Sequence, residues 1–308
     1  MTEVVGHERQ RRLLAARPAQ SLLFVGPEGV GRKAVAQWFA RGLNCERGFP
    51  PCGTCASCRL EPHPDVRVVA PRLATKSGRA ARRPQIHLEQ IAPREGSDEE
   101  SLLEWLQTSP RFKAKVAIVD DAHRLGEAAA NALLKVLEEP PSYAYVVLIA
   151  PSREAVLPTL ASRSLTIGFG PLPAEQLRAL SGDEAALGYS EGAVGRLMAA
   201  LADPAGLAEA EVAARDWLDA LASGDPAALL VATERLRERA EGPFDPWTFV
   251  ARDLATWPAA SRRAALEALA TVREDLEAYV SAELAYTRFA FAMRRIYAEL
   301  RSGSPPPR

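Results

Sequence analysis

Leu22-Leu23-Phe24-Val25-Gly26-Pro27-Glu28-Gly29-Val30-Gly31-Arg32-Lys33 is the stretch that decides the fold of this chain. An apolar strand runs into a glycine-rich turn, and a helical segment from Ala34 to Arg41 follows. That order is the setting of a Walker A loop, where backbone N–H groups and a helix N-terminus cradle phosphates. The motif requires Lys after its last Gly, then Ser or Thr. Here Arg32 stands at the Lys position and Lys33 at the hydroxyl position. Arg32 attracts phosphate, but its planar fork is a poor replacement for a compact ammonium. Lys33 has no oxygen for Mg²⁺ and puts positive charge where the metal would sit. We read an NTPase fold put to another use, with Gly26, Gly29, Gly31, Arg32 and Lys33 as the remnant of a nucleotide site. A glycine-rich turn with no nucleotide history is the rival; the strand before the loop and an acidic strand further on count against it.

That second strand is Lys115-Val116-Ala117-Ile118-Val119-Asp120-Asp121. A buried apolar run ending in paired acids has the form of a Walker B element, whose first acid orients a metal and whose second polarises water. Asp120 and Asp121 fill those places, and Asp121 is shorter than the Glu usual at the second. Further apolar runs, Asp65–Ala70 and Tyr145–Ala150, read as strands. Glu8–Ala16 and Leu125–Glu139 read as helices, the latter stopped by Pro140-Pro141. Residues 71–85 are basic without periodicity and read as a loop. Ile86–Ile91 and Glu99–Gln107 read as helical, with Ser97 or Asp98 as N-cap, and Ala155–Arg163 as helix or turn. Strands alternating with helices imply a parallel α/β sheet.

After Gly170-Pro171-Leu172-Pro173 the character changes to Ala/Leu/Arg/Glu-rich sequence with helical period. A small helical unit surrounds Gly188 to Met198. A longer run over 206–300 is broken at Gly224-Asp225-Pro226, Gly242-Pro243 and Trp257-Pro258. Its stripes, with Trp217, Trp247, Phe249 and Trp257, suit a core or a helical interface. The expected division is an α/β domain over 1–170, a small helical domain over 171–204, an all-α domain over 205–301 and a disordered tail over 302–308.

Cys45, Cys52, Cys55 and Cys58 are the only cysteines and read C-x6-C-x2-C-x2-C. Two consecutive C-x2-C steps bring three thiolates to one ion, and Cys45 completes a tetrahedron from the preceding helix end. Zn²⁺ with a structural role is the reading, since four thiolates leave no open position. Disulfides suit an oxidising compartment instead, and Fe fits four thiolates as well. His63, close behind, reads as a turn residue.

The chain has 308 residues and a formal net charge of −1. That length supports two or three cores, and that charge supplies no global field for nucleic acid. No apolar stretch approaches the roughly 18–20 residues that span a bilayer, and Met1-Thr2-Glu3-Val4-Val5-Gly6-His7 lacks the form of a signal peptide. A cytoplasmic protein with no membrane association is the expectation.

The stretch Asn131-Ala132-Leu133-Leu134-Lys135-Val136-Leu137-Glu138-Glu139-Pro140-Pro141 resembles a signature of bacterial DNA polymerase III clamp-loader subunits. Downstream, Ser162-Arg163-Ser164 resembles that family's Ser-Arg-Cys motif, with Ser164 in place of Cys. The four-Cys module followed by His63-Pro64-Asp65 matches too. Together these cover roughly residues 5–200, and the helical C-terminus is similar only in type. Within the family, a zinc module and an Arg motif beside a ruined P-loop resemble the non-motor delta prime class. Ala150 at the sensor-1 position and Gly195 at the sensor-2 position point the same way.

The resemblance implies an AAA+ parallel-sheet domain, a helical lid and a helical collar that oligomerises. It implies a stator in a loader with gamma/tau and delta subunits, acting on a sliding clamp and, through the assembly, on primer–template DNA. Arg163 would serve a neighbour's ATP site in trans as an arginine finger, and the chain's own site would bind ATP weakly or not at all and have no autonomous activity. The alternatives are a motor-type ATPase with an atypical P-loop and an unrelated zinc-containing nucleic-acid-binding protein.

Overall fold

The structure, a computed structural model, describes residues 4–16, 19–74, 80–93, 100–240, 243–277 and 281–302. The chain forms two compact units, one from Met1–Gly182 with Glu191–Gly195, the other from Asp183–Ser190 with Arg196–Arg308.

The first unit opens with α1 (Glu8–Ala16), β1 (Ser21–Val25), α2 (Arg32–Asn44) and β2 (Val66–Val69). It continues through β3 (Arg72–Ala74), β4 (Ala80–Gln85), α3 (Leu88–Ile91), α4 (Leu102–Gln107), β5 (Lys115–Val119) and α5 (Glu127–Glu138). It closes with β6 (Ala144–Ala150), α6 (Pro158–Ser162), β7 (Leu165–Gly168) and α7 (Ala174–Arg178). Five strands pair in parallel in the order β2-β5-β6-β1-β7, with Ser21 opposite Val146 and Leu22 opposite Leu165.

Strand alternation divides the core. Leu22, Phe24, Val116, Ile118, Val147 and Ile149 pack with Leu14 of α1 and Val35 and Phe39 of α2. Leu23, Ala117, Val119, Val146 and Leu148 pack on the other face with Ile91, Leu102, Leu106, Leu133 and Leu160. Burial on both faces is why these strands read as unbroken apolar runs. The layout brings the β1–α2 loop and the ends of β5 and β6 to one edge, where ligands bind in open parallel sheets.

Three local readings change. Residues 71–85 are not a plain loop: β3 and β4 pair antiparallel, with Arg72 opposite Gln85 and Ala74 opposite Ala80. Backbone ladder bonds define this pair, and its sequence lacks the apolar alternation that periodicity detects. β7 is also a strand that the sequence did not announce, because only Ile167 of its four residues is buried. α4 begins at Leu102 behind Ser101, whose Oγ accepts from Glu104 N at 3.3 Å while Glu104 Oε2 accepts from Ser101 N at 2.9 Å. This reciprocal capping box sets the helix start; Ser97 and Asp98 lie outside the described residues.

The second unit is helical: α8 (Glu184–Ser190), most of α9 (Val194–Ala202), α10 (Pro204–Ser223), α11 (Pro226–Ala240), α12 (Trp247–Leu254), α13 (Ala259–Glu277) and α14 (Ala282–Ser302). Glu191 and Gly192, both at positive φ, separate α8 from α9 within the expected small helical unit. Breaks fall at Gly224–Pro226, before α12 and at Pro258, as the sequence indicates. Ser281 Oγ accepts from Leu284 N at 3.3 Å at the start of α14. Trp217 is fully buried, donates from Nε1 to Thr233 Oγ1 at 2.9 Å and stacks on Phe289. Trp247 and Phe249 are buried with it as core, whereas Trp257 of the same stripe is half-buried beside Tyr297. Ser302 ends α14, and the rest of the expected tail lies outside the described residues. Among the described residues no helix is long and apolar enough to cross a membrane.

Candidate nucleotide and metal sites

Gly26, Gly29 and Gly31 all lie at positive φ, which suits glycine. Gly26 is the most constrained, since a Cβ there would fall 2.1 Å from the Phe169 carbonyl oxygen. The loop keeps Walker A shape, and α2 starts behind Gly31. Two of its carbonyls are engaged by other parts of the chain. Gly195 N–H donates to Gly29 O at 2.8 Å, and His7 Nε2 bonds Val30 O at 2.7 Å. A Cβ on Gly195 would meet Gly29 backbone at 3.1–3.2 Å, so residue 195 lies directly on the loop.

The two cations are engaged as well. Arg32 is buried, and its Nη1 donates to the Ala150 carbonyl at the end of β6. Burial lowers the Arg32 pKa, against the upward pull of Asp121, Asp120 and Glu28. Lys33 Nζ lies 3.0 Å from Asp120 Oδ2. The Walker B acid that would orient Mg²⁺ thus holds a lysine ammonium. Asp121 sits in the left-handed region (φ 51°) and lies 3.9 Å from Arg124 Nε. The structure therefore brings Gly26, Gly29, Gly31, Arg32, Lys33, Asp120 and Asp121 to one sheet edge, where Lys33 and Asp120 pair with each other.

Arg163 lies elsewhere, as the C-terminal cap of α6. Its Nε donates to Glu138 Oε1 at 2.5 Å, and Nη1 donates to the Thr159 carbonyl at 3.2 Å. Ser164 Oγ donates to Leu160 O at 3.0 Å and is buried.

The four cysteine sulfurs lie within 4.8 Å of one another. That suits tetrahedral thiolate ligation, and the cluster could hold a metal ion. Backbone N–H groups of Cys52, Cys55 and Cys58 donate in turn to the sulfurs of Cys45, Cys52 and Cys55 at 3.4–3.5 Å. The Thr54 hydroxyl bonds Cys52 Sγ, and this contact leads the causes that lower the Cys52 pKa to about 5. Backbone donation lowers Cys55, whereas burial pushes Cys58 up to about 12. The donor set favours thiolate on one side and needs a compensating cation on the other.

The module is joined to the sheet by a buried polar network. Asn44, at the end of α2, accepts from Lys113 N and Ala114 N at 3.0 Å and donates to Ala40 O and Ala114 O. Asp65 accepts from Arg111 N and Phe112 N at 2.8 Å. His63 is more than a turn residue: it is buried, its Nε2 pairs with Ser57 Oγ at 2.9 Å, and its Nδ1 accepts from Asp65 N at 3.1 Å. The available signal was the placement of Asn44 and His63-Pro64-Asp65 on either side of the cysteines. Gly29–Gly195, Arg32–Ala150 and Arg163–Glu138 pair residues far apart in sequence, and no local pattern announces them.

The family described as DNA polymerase III, delta subunit, matches residues 4–173. The DNA polymerase III subunit tau of Salmonella typhimurium is 33% identical over 184 residues, covering 57% of this chain and 26% of that protein. The delta' subunit of Pseudomonas aeruginosa is 33% identical over 163 residues, covering 51% of this chain and 45% of that protein. The match thus spans about a quarter of the first relative's length and less than half of the second's. Among solved structures, a DNA polymerase III gamma subunit-related protein of Thermotoga maritima superposes with a TM-score of 0.52 at 19% identity. It covers 93% of this chain and 98% of that one, a likeness of fold.

Proposed function

Because the chain belongs to the DNA polymerase III, delta subunit, family of AAA+ clamp-loader subunits, we propose that it is a non-motor, delta prime-type stator. In this reading it is a component of the polymerase holoenzyme, joins gamma/tau and delta subunits, and helps place a sliding clamp on primed DNA. Its α/β domain would carry the zinc module, and its helical C-terminal domain would join an oligomeric collar. Arg163 would reach the ATP of an adjacent motor subunit and stabilise the charge that develops during phosphoryl transfer; such a finger contributes roughly 10³–10⁵ in rate in other NTPases. Zn²⁺ is the ion we assign to the cysteines, holding an insertion in shape.

The observation that carries the stator reading is the internal use of the P-loop's charges. Arg32 serves the Ala150 carbonyl and Lys33 pairs with Asp120, so both cations and the first acid of the site are partnered within the chain. We expect no heat of ATP binding by the isolated chain in titration calorimetry and no phosphate release above blank. Reconstituted with its motor partners, the Arg163→Ala chain should support assembly but lose most DNA-stimulated ATPase. Turnover by the pure chain that vanished in Asp121→Ala would overturn the stator reading.

One observation favours a second reading, a motor-type subunit with an atypical loop. The tau relative matches slightly more of the chain than the delta' relative at the same identity. The same calorimetry decides, since a motor binds ATP by itself.

A further inference from the structure

Glu138 is the last residue of α5, and Arg163 caps α6. The two helices share one core: Leu133 and Leu137 of α5 and Leu160 and Ala161 of α6 are buried in the same cluster. Both side chains therefore start from fixed backbone. Glu138 Oε1 accepts from Nε of Arg163 at 2.5 Å and lies equally close to Nη2, while the Thr159 carbonyl accepts from Nη1. A guanidinium carries five N–H donors in a rigid fork. Three are engaged here, and Ser162 Oγ touches Nη1 at a long 3.5 Å. One donor on Nη2 and the weakly held one on Nη1 are left for an incoming anion.

We propose that Glu138 is the positioning residue for Arg163. Its carboxylate holds the inner edge of the guanidinium, so that the outer end of the fork meets the γ-phosphoryl oxygens of a nucleoside triphosphate held by an adjacent subunit. This rests on the reading of Arg163 as a group acting in trans. In the reaction served, water oxygen bonds to the γ-phosphorus as the bond to the β–γ bridging oxygen breaks. The electron pair leaves on the diphosphate, and the water's proton passes to solvent. Arg163 meets charge gathering on the phosphoryl oxygens, and Glu138 touches none of the reacting atoms.

The pair's value lies in orientation. Side-chain exposures of 36% for Arg163 and 48% for Glu138 place it in solvent, where ion pairs add little stability. An arginine on an exposed helix end samples many rotamers, and misplacing a group by an ångström or so can cost two orders of magnitude in rate. The sharing of one oxygen by Nε and Nη2, with Thr159 on Nη1, selects one orientation.

The test is ATP hydrolysis by the complete loader, assembled with wild-type, Glu138→Ala, Glu138→Gln or Arg163→Ala chain, and with the double variant Glu138→Ala/Arg163→Ala. Glu138→Ala should lower kcat roughly tenfold or more with KM for ATP and assembly unchanged. Glu138→Gln, which keeps an acceptor oxygen in place, should restore most of that loss. In the Arg163→Ala background, Glu138→Ala should change nothing further. If Arg163→Ala is crippled while Glu138→Ala matches wild type or runs faster, the positioning role is wrong and the Arg163 reading stands. If Arg163→Ala itself runs at the wild-type rate, that reading fails and this inference goes with it.

Discussion

At the scale of single residues, Arg32 shows how a substituted loop residue acquires a structural task. Arg32→Ala removes the donor to the Ala150 carbonyl inside a buried site. The expected cost is about 1–3 kcal/mol, read as a lower urea midpoint with unchanged slope. His63 gives a pH prediction. Burial, the largest cause, lowers its pKa from the ordinary 6.5. The folded state therefore holds fewer protons than the unfolded one at mildly acidic pH, and stability rises with pH through that window. The contribution is fully present above 6.5 and is lost as pH falls through the depressed folded value. His123 is lowered for the same leading reason and adds to the slope. His63→Gln should flatten part of the acid limb in stability measured from pH 5 to 8. The departures at Arg32 and Lys33 were legible from motif spacing alone. The destinations of their charges were not, because Ala150 and Asp120 reach them only through the parallel sheet.

Among the elements, α2 joins the two candidate sites, with the P-loop at its start and Asn44 and Cys45 at its end. Gly42 on that helix faces Phe49 of the cysteine loop, and a Cβ there would fall 2.0 Å from the ring. Gly42→Ala should raise helix propensity yet destabilise the protein by about 1–3 kcal/mol through overpacking, seen as a lower Tm. The ring has little room to give, as it packs on Trp38 and Phe39. Chelation should expose residues 46–60 to protease while the sheet's far-UV signal persists, because the sheet has its own core. Metal affinity should rise with pH: the buried Cys58 thiol, held up to about 12, must release its proton on ligation. β1, β5 and β6 were readable almost to the residue because burial on both faces writes apolar runs. β7 and the β3–β4 pair were not, since backbone pairing at an edge needs no apolar side chains.

For the molecule as a whole, the two units differ in how far apart in sequence their contacts lie. The helical unit is built largely from neighbours in sequence, such as α10 with α11 and α13 with α14. The change in composition after Pro173 was enough to announce it. The α/β unit is built otherwise. β1 is the first strand to leave the ribosome, yet both strands that flank it, β6 and β7, come from the far end of the domain. Leu22, Leu23 and Phe24 have no native strand to pair with until residue 150 has been made, and no second one until residue 168, and non-local parallel pairing is intrinsically slow. During synthesis this apolar segment has no strand to join, which is the condition under which nascent chains aggregate and holding chaperones act.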